Sequence, residues 1–199
     1  MNTLQQAKQP FRFHTRLNLT ELTGLRASNL PQLLGLIKKV PGSCIYHHTH
    51  RFLEQHQHLS PEPPNDFAYW VGQVLNEDEL AERLASIDTM QFSSIRSLRE
   101  QFIVTIEAYM AERPVSKLRF AARDEEFHFI KSVSFIVPTP YTVNNLEEFV
   151  EVLGKITVDS IYFHVFEARL RLERPTNDFS NWIEGALDCK ALADGISRL

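Results

Sequence analysis

The sequence predicts an α+β fold, predominantly helical, built from two pseudo-symmetric strand-plus-helices repeats with a connecting amphipathic helix. Three observations carry this. First, residues 11–48 match residues 127–164 without a gap: Phe11/Phe127, Phe13/Phe129, Thr23/Thr139, Asn29/Asn145, Leu30/Leu146, Lys39/Lys155, Ile45/Ile161, Tyr46/Tyr162 and His48/His164 are identical. Chance at ordinary composition supplies roughly two such identities over that span. The match resumes four residues out of step, with Asn65-Asp66-Phe67 against Asn177-Asp178-Phe179, Trp70 against Trp182, and Leu80-Ala81 against Leu192-Ala193. Second, both copies open with period-two alternation and continue with helical stripes. Third, an unduplicated helical stripe lies between them. The chain divides accordingly into a polar N-terminal arm (1–10), repeat one (11–88), a connecting helix and charged linker (89–126), and repeat two (127–199).

Each repeat begins as a half-buried strand. Phe11, Phe13, Leu17 and Leu19 share one face, with Arg12, His14, Arg16 and Asn18 opposite; Phe127, Phe129, Val133 and Phe135 restate the apolar face. A helix follows. Asn29 and Asn145 stand where a side chain caps a first turn, with Gln32 and Glu148 three residues on. Leu30, Leu33, Leu34 and Ile37, like Leu146, Phe149, Val150 and Leu153, then form one stripe. Pro41-Gly42 interrupts copy one, and Ser43 and Asp159 are expected to cap a second helix carrying Ile-Tyr-x-His. After proline-containing loops, Asn65-Asp66 and Asn177-Asp178 start a third helix with the stripe Phe67, Trp70, Val71 or Phe179, Trp182, Ile183. A fourth short helix covers 77–87 and 190–199. In the connector, Ile95, Leu98, Phe102, Ile103, Ile106, Tyr109 and Met110 keep helical spacing until Pro114, and 115–126 reads as a charged linker.

Composition limits function more than it specifies it. A chain of 199 residues with net charge −4 has no electrostatic footprint for nucleic acid or anionic lipid. No stretch approaches the ~18 apolar residues of a membrane span. Met1 to Pro10 lacks the apolar core of a secretion signal, and Cys44 and Cys189 stand alone, so the expected compartment is the cytoplasm.

Two histidine sets are the candidate sites. His47, His50, Glu54 and His58, with His56 beside them, would fall on one stripe of an α-helix and could hold zinc or a similar ion. The competing reading is a polar, solvated or interfacial face. Repeat two carries Phe163, Phe166 and Leu170 at the early positions, and on that reading His47→Ala with His50→Ala leaves stability within about 0.5 kcal/mol. His48 and His164 instead lie on the apolar stripe, where each ring needs a partner. The Asn-Asp pairs are the polar motif both copies keep, so His48, Asn65, Asp66 and Trp70, with His164, Asn177, Asp178 and Trp182, are expected to be structural joints. No G-x-S-x-G, P-loop or H-E-x-x-H occurs; no catalytic residues and no cofactor are expected.

The strings Ile161-Tyr-Phe-His-Val and Asn177-Asp-Phe-Ser-Asn-Trp-Ile resemble an uncharacterised prokaryotic domain family with a His-containing helix followed by an Asn-Asp-Phe-x-x-Trp helix. The resemblance spans both copies and departs from copy one in its longer, proline-rich loop and extra histidines. It implies the fold and no activity. The functional expectation is a non-enzymatic interaction or regulatory module with a protein partner, no nucleic acid and no membrane. Phe163, Phe166 and Leu170 supply a second apolar helix face, either sandwiched or offered to a partner. The alternative is a metal-binding enzyme or sensor using the histidine face of repeat one.

Overall fold

The computed structural model describes residues 5–51, 64–172 and 176–198. The chain runs through β1 (Phe11–Ala27), α1 (Leu30–Ile37), α2 (Gly42–Tyr46), a π-turn (His47–Arg51), α3 (Asp66–Gln73), α4 (Asp78–Ala85) and α5 (Ile95–Glu112). It continues through β2 (Phe127–Val143), α6 (Leu146–Leu153), α7 (Val158–Tyr162), a second π-turn (Phe163–Glu167), α8 (Ala168–Leu172), α9 (Asp178–Leu187) and α10 (Lys190–Ile196). Short 3-10 turns at Thr89–Gln91 and Pro114–Leu118 complete it; the second lies in the segment expected to be linker.

Two compact units emerge, and they are not the two sequence blocks. A continuous unit comprises Leu19–Val133, and a split unit comprises Met1–Asn18 with Ser134–Leu199. The division cuts both strands in mid-course. β1 and β2 are the only strands among the described residues, and they pair with each other. In the continuous unit Lys131 meets Glu21 at 3.0 Å and the Thr23 hydroxyl donates to Phe129 O at 2.6 Å. In the split unit Ser134 Oγ donates to Asn18 Oδ1 at 2.5 Å and the Thr139 hydroxyl donates to Phe13 O at 2.8 Å. Numbers rise on one strand as they fall on the other, the order of an antiparallel pair.

Each unit therefore completes the helices of one repeat with the opening strand of the other. In the continuous unit Phe127 and Phe129 enter a core with Leu30, Leu33, Phe67, Trp70 and the apolar side of α5, which supplies Phe102 and Ile106. In the split unit Phe11 and Phe13 enter a core with Leu146, Phe149, Phe179, Trp182 and Ile183. Burying a Phe side chain contributes about 1.5–3 kcal/mol, so each helical set depends on a strand that its own repeat does not supply.

Helix starts follow the local rule. The Asn29, Asn65, Asn145 and Asn177 side chains accept from Gln32, Ala68, Glu148 and Ser180 N–H, and three of those residues also reach back to accept, Gln32 from Ser28 N–H, Glu148 from Asn144 N–H and Ser180 from Asn177 N–H. Two expectations change. Pro41 and Thr157, not Ser43 and Asp159, stand at the N-caps of α2 and α7; Pro41 has no side-chain oxygen, whereas Thr157 accepts from Ser160 N–H. The strands are longer than their alternating openings and do not keep one face. After Phe13 the next buried residue is Arg16, and after Phe129 it is Ser132, while Leu17, Leu19 and Phe135 are exposed. A step of three is incompatible with strict alternation, so both strands turn their faces at the same point, as at a bulge. A left-handed residue follows each of α3 and α9, Asn76 (φ 53°) three residues after Gln73 and Asp188 (φ 54°) directly at the C-cap of α9, residue types that tolerate that conformation.

Candidate functional site

The motif residues of the two repeats gather where a strand meets the π-turn and the helix that follows it. In the split unit the Trp182 indole N–H donates to Gln9 O at 2.8 Å. Phe11 and Phe13 follow, their rings within 6.0 Å of His164, Phe149 and Phe179. His164 Nε2 then accepts from His14 N–H at 2.8 Å, and its Nδ1 lies 2.8 Å from Asp178 Oδ2. The continuous unit repeats these contacts except those with Phe149, whose aligned residue is Leu33. Trp70 donates to Glu125 O at 2.7 Å, Phe127 and Phe129 pack on His48 and Phe67, His48 Nε2 accepts from Ile130 N–H at 3.0 Å, and His48 Nδ1 lies 2.6 Å from Asp66 Oδ2. Asn65 and Asn177, besides capping, donate to Leu84 O and Ile196 O. The third and fourth helices of each set are thereby tied to the same corner.

Geometry fixes the protonation of these imidazoles. A backbone N–H can only donate, so Nε2 must carry the lone pair and Nδ1 the proton, which the ring donates to the aspartate. An Asp–His pair so arranged is the orienting half of a general base. Here the atom that would take the proton is already bonded to the strand, and both rings are 2% exposed. Through these bonds each pair joins a strand, a π-turn and a third helix.

Between strand and π-turn the two units differ. In the split unit the Arg16 guanidinium is buried in an ion pair with Glu167 and lies 5.2 Å from the centre of the Tyr162 ring. In the continuous unit Ser132 and Arg51 take those places, and Ser132 Oγ meets His47 Nδ1 at 2.9 Å. Burial, and secondarily the neighbouring His48, pushes the His47 imidazole down to about 4. His50 is equally buried and stacks on Tyr46 with ring centres 5.5 Å apart.

This corrects the picture of a solvated histidine face: His47 and His50 are interior residues. Replacing both with Ala removes packing and a buried hydrogen bond, at a cost well above the 0.5 kcal/mol of a surface change. The α-helical stripe that would align His47 and His50 with Glu54 and His58 is also interrupted, because 47–51 is a π-turn. Glu54, His56 and His58 lie outside the described residues, and among the described residues no group of three His, Cys, Asp or Glu is placed to hold a metal. In repeat two, Phe163 is buried and Phe166 and Leu170 are half-buried, so the second apolar face is covered at Phe163 and only in part beyond it.

Sequence reasoning missed the π-turns, the buried Arg16–Glu167 pair and the strand carbonyls and amides that complete the joints. One available signal was that both copies place a polar residue, Arg16 or Ser132, three positions after the second Phe. π-turns inside α-helices are often found at functional positions; here both carry the clamping histidine.

The profile of a family of unknown function, DUF5752, matches residues 8–199. Among solved structures, that of OrfY from Thermoproteus tenax is similar over 98% of this chain and 86% of its own, with a TM-score of 0.84 and 30% sequence identity. No curated protein sequence matches.

Proposed function

The chain belongs to DUF5752, a family of unknown function, and we propose that it is a non-enzymatic protein-interaction module. The observation that carries this reading is apolar exposure along β1 in the continuous unit. Leu19, Leu22 and Leu25 are 59%, 75% and 41% exposed within one seven-residue stretch, a concentration of apolar surface that marks contact sites. The clamped histidines support the non-enzymatic half of the proposal. The occupant that fits is a protein offering an extended apolar segment. Each strand has the other as its one strand neighbour among the described residues, so an added strand can bond along the outer edge of β1, its side chains falling alternately beside Leu19 and Leu25 on one face and Leu22 on the other. A net charge of −4 favours a protein over nucleic acid as that occupant. No described helix is long and apolar enough to cross a membrane.

The test is affinity capture from the native lysate with the parent and with L19S/L22S, followed by titration of the purified candidate. A protein retained in one-to-one proportion by the parent, and bound at least tenfold more weakly by a variant of equal melting temperature, is expected. Equal binding by both chains would remove the leucines from the interface and the reading with them.

A further inference from the structure

The split unit has a property that its continuous counterpart lacks. It consists of two chain segments, Met1–Asn18 and Ser134–Leu199, with no covalent link inside the unit. The first segment is held in it by side-chain and backbone contacts alone. Its backbone is gripped at both ends of a Phe-x-Phe core: Trp182 donates to Gln9 O, His164 accepts from His14 N–H, and Ser160 Oγ donates to His14 O at 2.6 Å. Phe11 and Phe13 lie between those grips, 8% and 0% exposed. Further toward the N-terminus, Ala7 N–H donates to Asn144 O and Lys8 N–H to Ala186 O. Lys8 also pairs with Asp188 at 2.7 Å.

We infer that the α6–α10 face of the split unit is a receptor for an extended aromatic-x-aromatic strand, and that it accepts residues 5–18 of a second copy of this chain in place of its own. None of the contacts above depends on which chain supplies the arm. The chain itself shows that the recognition is transferable. Phe127 of the other strand packs on Trp70, His48 and Phe67 and Phe129 on His48, and the flanking Glu125 carbonyl and Ile130 N–H bond to Trp70 and His48, in a different sequence context. The arm in cis competes strongly, because it continues without a break into the rest of β1 and is held beside the site at an effective concentration of at least about millimolar order. Exchange between copies is therefore expected at high concentration or when the arm in cis is weakened. This inference is independent of the β1 leucines, which lie in the other unit.

The probe is a synthetic peptide of residues 5–18 added to the full chain carrying F11A/F13A, whose own arm can no longer fill the site. Saturable one-to-one binding is expected, with a rise in melting temperature of about 5 °C at a hundredfold excess over Kd. The same peptide with both phenylalanines replaced by alanine should leave the melting temperature unchanged. A folded F11A/F13A chain that binds neither peptide at millimolar concentration would overturn the inference. Should that variant fail to fold, F11L serves instead, read by hydrogen exchange. Displacement of its arm by the parent peptide should raise the exchange rate of the His14 amide at least tenfold, and an unchanged rate at saturating peptide would overturn the inference equally.

Discussion

His47 shows how one residue acquires different meaning in two copies of the same unit. In the aligned place repeat two has Phe163, which is buried like its counterpart. An imidazole in that setting must be neutral. Its folded pKa of about 4 lies below the unfolded value of 6.5, so between those two pH values the unfolded chain binds the proton first. The stability His47 contributes is thus fully present above pH 6.5 and is lost as the pH falls toward 4, at up to about 1.4 kcal/mol per pH unit. His47→Phe, which installs the residue that repeat two already uses, should flatten the stability profile between pH 6.5 and 4, while near pH 8 it should cost about 1 kcal/mol through loss of the Ser132 hydrogen bond. Denaturant titrations of the two proteins across that window check this, and parallel curves would mean that His47 does not titrate with unfolding. The sequence could not reveal the burial of His47 and His50. A run of three histidines in four positions looks solvated, and it is covered by elements distant in sequence, the strand of the other repeat over His47 and His48 among them.

At the scale of elements, what was legible was whatever a few neighbouring residues decide. The four asparagine caps, the stripes of α1, α3 and α9, and the end of α5 before Pro114 all follow from local spacing, whereas in α6 the expected Val150 is exposed and Val152 is buried in its stead. The pairing of His48 with the Asn65-Asp66 corner could be read because the motif recurs across a loop of different length. The π-turns could not, since a single widened turn leaves no periodic trace in five residues. Nor could the turn of the strand faces, which exposes Leu17 and Leu19 and buries Arg16. Asp178 links three elements, since through His164 it holds the second π-turn to α9 and to β1. Asp178→Ala should cost about 2 kcal/mol, the loss of a charge-assisted hydrogen bond that leaves a buried imidazole N–H unpaired. It should also speed exchange of the His14 amide more than that of the Ile130 amide. Asp178→Asn, whose side-chain carbonyl still accepts, should recover part of the loss. Hydrogen exchange with denaturant melts reads both effects, and equal changes at His14 and Ile130 would show that the joint does not act locally.

The whole molecule is defined by an exchange that no local pattern records. Internal similarity in the sequence identifies two repeats, yet either could have folded its strand onto its own helices with the same contact chemistry. The structure instead sends Phe11 and Phe13 to the helices of repeat two and Phe127 and Phe129 to those of repeat one. Sequence composition is blind to that choice because the docking residues are nearly interchangeable between the copies. A double-mutant cycle separates the alternatives most directly. Phe13 stacks on Phe149 with ring centres 5.6 Å apart. Phe13→Ala combined with Phe149→Ala should therefore show a coupling energy of about 1 kcal/mol, whereas Phe13→Ala combined with Phe67→Ala should be additive within about 0.5 kcal/mol. Coupling of Phe13 to Phe67, with none to Phe149, would place the strand on its own repeat and contradict the exchange.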